Sequence, residues 1–187
     1  MSGKRACVLL TEGFEETEAI AVIDVLRRAA IDTTIVGVTG REVTGNHGIT
    51  VHAAALLADV PRDFDCVALP GGMPGAASLR DSVKVKDFVV THHQNGAVLG
   101  AVCAAPIALA AFGLLEGKRV TCFPGFEDQL AGAVFVGGAV VVDVDERGRV
   151  VTGRAIGSAL QFGLALVEQL GGAALAEPLR ARLHLDS

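Results

Sequence analysis

Cys66-Val67-Ala68-Leu69 is a continuous apolar run that stops abruptly at Pro70-Gly71-Gly72. Side chains alternate sides along a strand, so a strand that is apolar at every position has to be covered on both faces. Ala97-Val98-Leu99-Gly100-Ala101-Val102 repeats the pattern, and Lys4 to Leu10 and Thr33 to Val38 read as two more strands. Helical stretches separate them. Glu15 to Ala30 places acidic residues first and Arg27-Arg28 last, Pro74 to Arg80 is followed by Ser82 to Asn95 closed by Gly96, and a further helix covers Ala105 to Phe112. Arg119 to Cys122 reads as another strand, Val43 to Val51 as an excursion around a Gly-rich turn, and Val140 to Gly153 as a hairpin folded at Asp145 to Gly148. Ser158 is placed to N-cap a helix running to Leu170, and a last helix spans Ala173 to Leu183. Strands alternating with helices predict an α/β fold, a doubly wound sandwich around a mostly parallel sheet. No repeat, low-complexity tract or linker divides the chain, so residues 1–187 read as a single domain.

Composition narrows the partners. Aromatic residues make up 4% of the chain, with neither Trp nor Tyr, and the formal net charge is -5. The lack of Trp and Tyr removes the usual stacking platforms and the negative balance disfavours a phosphate backbone, so no direct nucleic-acid binding is expected. The opening Met1-Ser2-Gly3-Lys4-Arg5 runs straight into a strand too short for a leader core or a membrane span, which predicts a cytoplasmic protein with no membrane contact. The cysteines, Cys7, Cys66, Cys103 and Cys122, show no CxxC spacing and no paired histidines, so neither a disulfide framework nor a metal site is expected. Cys7, Cys66 and Cys122 read as small core residues.

Cys103 falls at the junction between a buried strand and a helix. In a parallel sheet, turns and helix N-termini converge outside the carboxyl ends of the strands, and ligands gather there. The helix that follows is expected to stabilise a thiolate and lower its pKa, in an arrangement like a nucleophile elbow with Cys in place of Ser. Glu15-Glu16-Thr17-Glu18 lies on the same sheet edge, just after the first strand. Acidic residues opening a helix ordinarily face water, the reading taken here for Glu15 and Glu16. Glu18 is followed by the apolar Ala19 to Val22, which places its carboxyl against the core, where burial raises its pKa and lets it donate a hydrogen bond to a thiolate. The Pro70-Gly71-Gly72 turn exposes backbone amides at this edge, and those of Gly72 and Ala104 form a candidate oxyanion pocket. No glycine run has nucleotide-binding spacing, so no nucleotide cofactor is indicated. His47 and His52 flank the Gly-rich turn, His92 and His93 read as solvent-facing in a helix, and His184 is near the terminus. None adjoins Cys103, and a Cys-His hydrolytic dyad is unsupported.

Three elements together resemble one family: Gly13-Phe14-Glu15-Glu16-Thr17-Glu18, Leu69-Pro70-Gly71-Gly72 and Ala101-Val102-Cys103-Ala104-Ala105-Pro106. They are similar to the DJ-one/ThiJ/PfpI superfamily, in its DJ-one-like branch, and Asp24 to Ala29 and Phe162 to Glu168 fit it as well. The resemblance implies a flavodoxin-like fold, a homodimer with each site near the interface, and no cofactor. It matches Cys103 to the oxidisable nucleophile, Glu18 to the protonated carboxyl that hydrogen-bonds it, and Gly72 and Ala104 to the oxyanion donors. Phe123 stands where the animal members carry an active-site histidine, as in some bacterial members that also lack it. His47 stands where relatives often carry an anion-binding arginine, which leaves Arg28 as a member of that patch. Ala104 replaces the histidine that follows the cysteine in the protease branch, which disfavours peptidase activity.

The resemblance implies a cofactor-independent cysteine enzyme for reactive dicarbonyls, converting methylglyoxal to lactate or removing early glycation adducts from proteins and nucleotides. The alternative is a redox sensor or chaperone acting through a Cys103 sulfinate with little turnover.

Overall fold

The computed structural model describes residues 3–185. The chain opens with β1 (Arg5–Leu10), α1 (Glu16–Arg28) and β2 (Asp32–Gly37), followed by the short strands β3 (Glu42–Thr44), β4 (Thr50–His52) and β5 (Ala55–Leu56). Then come β6 (Cys66–Leu69), α2 (Gly75–Asp81), α3 (Val83–Gln94), β7 (Val98–Val102) and α4 (Pro106–Ala111). The last part comprises β8 (Arg119–Val120), β9 (Val134–Phe135), β10 (Val140–Asp145), β11 (Gly148–Gly153), α5 (Ala159–Gly171) and α6 (Ala173–Arg182).

Seven strands form the central sheet in the order β10-β11-β7-β6-β1-β2-β5. Every neighbouring pair is parallel except the β10–β11 hairpin. Helices cover both faces, which is why the central strands are apolar throughout. Cys7, Leu9, Val67, Leu69, Leu99 and Ala101 join one core with residues of α2, α3 and α4. Ala6, Val8, Leu10, Cys66, Ala68, Val98 and Val102 join the other with α1, α5 and α6. Cys7, Cys66 and Cys122 are buried. The doubly wound, mostly parallel α/β sandwich is therefore the architecture of this chain, in one domain.

Four local expectations change. Arg119 to Cys122 forms only the two-residue strand β8, paired in parallel with β9 in a separate small sheet. Side chains end its ladder: Thr121 N–H donates to Thr152 Oγ1 and Thr121 Oγ1 donates to Gly138 O. Ser158 stands at the N-cap of α5 without capping it, because its hydroxyl turns back to donate to Ala155 O at 2.8 Å. His92 has no exposed surface; its ring lies 4.2 Å from that of Phe88, and its Nδ1 pairs with Phe88 O at 2.7 Å. His93 is half-buried rather than solvent-facing.

Among the described residues, no helix is long and apolar enough to cross a membrane.

Candidate active site

Parallel strands β1, β6 and β7 end side by side, and each contributes one piece of the site. After β7 the chain turns so tightly that Cys103 adopts φ +62, a left-handed conformation that only a few side chains tolerate. The turn is over-determined by its surroundings. Cys103 N–H donates to Gly153 O at 2.9 Å, Ala105 N–H to Val102 O at 3.0 Å, and Phe123 N–H to Cys103 O at 2.9 Å. Ala104 and Ala105 are buried and small enough to let the turn close. Cys103 itself is half-buried, so its thiol meets the surface from the edge of the core.

After β1, the segment Thr11 to Glu15 leads into α1, and the acidic residues there take three separate tasks. Glu15 is the N-cap, its Oε2 accepting from Glu18 N–H at 2.6 Å. Glu16 is buried and accepts from His47 N–H at 2.6 Å and Ile49 N–H at 3.4 Å, with His47 Nδ1 3.1 Å away. Burial alone would push the Glu16 carboxyl up, but these bonds together hold it below its ordinary range. Glu15 and Glu16 therefore do not face water as the sequence suggests. Unpaired amides at the helix start and in the β3–β4 turn draw them inward.

Glu18 has no exposed surface. Its Oε2 accepts from Gly71 N–H at 2.8 Å, while Oε1 has no N–H or O–H partner. Burial pushes this carboxyl up to about 7, against the lowering effect of the bonds from Gly71 and from the Cys103 thiol. Cys103 moves further, to about 12, first because it is desolvated and then because the Glu18 charge lies beside it. The amides of Ala104 and Gly72 pull in the other direction. The sequence reading of a thiol acidified by the following helix is thus corrected: α4 is a short helix, and burial beside a carboxylate outweighs it. The two groups titrate as a pair, losing one proton near neutrality and the second only in strong alkali, so that one proton is shared between them over the intervening range.

After β6, Pro70-Gly71-Gly72 wedges between these groups. A Cβ on Gly71 would stand 2.6 Å from Cys103 Cβ and 2.7 Å from Glu18 Oε2, so any side chain would force the pair apart. Gly72 adopts φ +88 and lies against the Gly13–Glu15 backbone, which turns its N–H toward the Cys103 sulfur.

Cys103, Glu18, Gly72 and Ala104 are therefore brought together. Arg28 is not. It closes α1 ten residues beyond Glu18, which at about 1.5 Å per residue puts it about 15 Å away along the helix axis. There it pairs with Asp24 at 2.5 Å, at the opposite edge of the sheet. Phe123 does lie beside the site, through its bond to Cys103 O, and its ring is 42% exposed. Glu15, Glu16 and His47 place possible metal-ligand atoms within 4.8 Å of one another, but the carboxylates are committed to the amides described above. A concavity of about 280 Å³ near Arg62, Phe64 and Asn95 lies at the other edge of the sheet, with its charges paired: Arg62 to Asp87, Asp63 to Arg5 and Asp65 to Lys4.

The model of the DJ-1/PfpI family matches residues 4–169. The chain belongs to the DJ-1/PfpI family. Among DJ-1/PfpI relatives, the Parkinson disease protein 7 homolog of Danio rerio is 37% identical over 189 residues, covering 99% of each chain. The glutathione-independent glyoxalase DJR-1.2 of Caenorhabditis elegans is 32% identical over 173 residues, covering 90% of each. Oxidized Toxoplasma gondii DJ-1 superposes with a TM-score of 0.92 at 33% identity, covering 99% of this chain and 100% of that one. The fold and the DJ-1-like branch of the family follow from these matches.

Proposed function

We propose that this protein is a cofactor-independent cysteine enzyme that converts 2-oxoaldehydes to 2-hydroxy acids. The observation that carries the reading is the Glu18 carboxyl, fully buried and held at about 7 beside a cysteine on a left-handed turn. When the shared proton sits on Glu18, Cys103 is a thiolate facing the amides of Gly72 and Ala104. Sulfur attacks the aldehyde carbon, a C–S bond forms, and the carbonyl electron pair moves to oxygen, where those amides hold it. Glu18 protonates that oxygen, takes the proton from the same carbon, and returns it to the neighbouring ketone carbon, while the hydroxyl proton on the first oxygen passes to the ketone oxygen. The aldehyde carbon is oxidised to a thioester as the ketone is reduced to an alcohol, so no external oxidant or reductant is consumed. Water then releases the hydroxy acid and the thiol.

The test is lactate formed from methylglyoxal. Cys103→Ala should abolish it, and Glu18→Gln should lower kcat by about 10²–10⁴-fold. For the wild type, kcat/KM should rise with pH through about 7, as the pair loses its first proton and the carboxylate becomes free to take the one on sulfur. Equal rates for wild type and Cys103→Ala would refute the reading.

A second reading is sensing through a Cys103 sulfinate, favoured by the half-buried thiol and by the oxidized state named for the Toxoplasma gondii relative. Two oxygens added at Cys103 by mild peroxide, with negligible lactate formed, would select it. We also propose a homodimer. Ile20, Ile49, Ile156 and Leu160 are 37–58% exposed on α1, the β3–β4 turn bound to it, the 3-10 turn before α5 and the start of α5, elements that pack together.

A further inference from the structure

The chain has eight phenylalanines. Phe14, Phe64, Phe88, Phe112 and Phe162 are buried, and the three that are not, Phe123, Phe126 and Phe135, all follow β8 within a short segment. This segment is tied directly to the nucleophile, since Phe123 N–H donates to Cys103 O at 2.9 Å. Its turn is firmly built. Phe126 N–H donates to Phe123 O at 3.2 Å, Gly125 takes φ +95, and Gly125 N–H donates to Glu127 Oε2 at 2.6 Å. The rings of Phe123 and Phe126 stand edge-on at 6.4 Å, Phe126 seated against the core on the α2–α3–α4 side and Phe123 left 42% exposed. Phe126 thus packs on the side of the sheet opposite the α1–α5 face proposed for the dimer. Exposing a phenyl ring on a residue bonded to the nucleophile's backbone sacrifices burial that five other phenylalanines obtain.

We infer that Phe123, backed by Phe126, is an apolar wall that selects compounds carrying an alkyl or aryl group for reaction at Cys103. The substrate class rests on the dicarbonyl reading above: 2-oxoaldehydes R–CO–CHO in which R is apolar, with glyoxal, where R is hydrogen, the poorest. A phenylalanine can neither donate to nor accept from a carbonyl oxygen. What it offers is dispersion and an aromatic edge or face, which reward an apolar R and give nothing to a small hydrated one. Phe123 is thus a specificity-determining residue.

The experiment compares kcat/KM for phenylglyoxal, methylglyoxal and glyoxal within each of wild type, Phe123→Ala, Phe123→Leu and Phe126→Ala, reading the hydroxy acid formed. Ratios taken within one variant cancel a general change in activity, and thermal melts establish that each variant folds. The phenylglyoxal-to-glyoxal ratio should fall about tenfold in Phe123→Ala and less in Phe123→Leu. A ratio unchanged within about twofold in Phe123→Ala overturns the wall. In parallel, the rates at which iodoacetamide and N-benzyl iodoacetamide label Cys103 are read by intact mass. A benzyl preference that disappears in Phe123→Ala, in a protein that turns over no dicarbonyl, upholds the wall and removes the dicarbonyl reading. Turnover of all three substrates with an unaltered ratio does the reverse.

Discussion

A carboxyl with no exposed surface gives up its hydration when it ionises, so Glu18 keeps its proton up to about 7, whereas in the unfolded chain it ionises near 4.5. The folded-state value is the higher one, so its contribution to stability is complete below pH 4.5 and is lost as pH rises to about 7. The loss amounts to about 3 kcal/mol. Glu18→Gln, which cannot ionise, should therefore be more stable than wild type at pH 8, with a smaller advantage at pH 4, while its activity collapses. Thermal melts at the two pH values measure this, and a Gln variant no more stable at pH 8 would contradict it. Opposite effects on stability and activity mark a residue kept for chemistry. Glu18 stood out in the sequence because apolar residues follow it. Glu15 and Glu16 did not, because the amides that bury them belong to the helix start and to a turn about thirty residues away.

At the scale of elements, α1 and the β3–β4 hairpin form a unit. Gly13 N–H donates to Thr44 O and Asn46 N–H to Phe14 O at 2.9 and 2.8 Å, and Glu16 closes the join. Glu16→Ala would leave the amides of His47 and Ile49 without their acceptor, at a cost of about 1–3 kcal/mol. Hydrogen exchange should speed up at those two amides and remain slow in the β1 and β7 amides; unchanged exchange at His47 would show that the latch is not needed. A second join places the Phe123 segment: the buried Lys118 ammonium lies 3.2 Å from Asp143 Oδ1 and 2.7 Å from Asp145 Oδ1, fastening the start of β8 to the hairpin. Long elements were legible because their periodicity is local. The two-residue strands Ala55–Leu56 and Val134–Phe135 have no period to read, and β8 was overextended because the Thr152 and Gly138 partners of Thr121 are far away in sequence.

For the whole molecule, four large apolar residues on packed elements of one face make self-association the economical way to cover it. Ile20→Asp should convert a dimer into a monomer in size-exclusion chromatography without lowering the helix signal, and a wild type that elutes as a monomer would remove the proposal. By itself the sequence determined the doubly wound sandwich and put Cys103, Glu18 and the Gly71-Gly72 turn at one sheet edge. Strand and helix periods are local signals, and parallel strands joined by crossovers must end on the same side. Only the tertiary structure decided the rest: that the thiol is raised rather than lowered, that Glu16 turns inward to a distant turn, and that Phe123 touches the nucleophile's backbone. Each depends on burial or on distance through space, and neither is a property of neighbours along the chain.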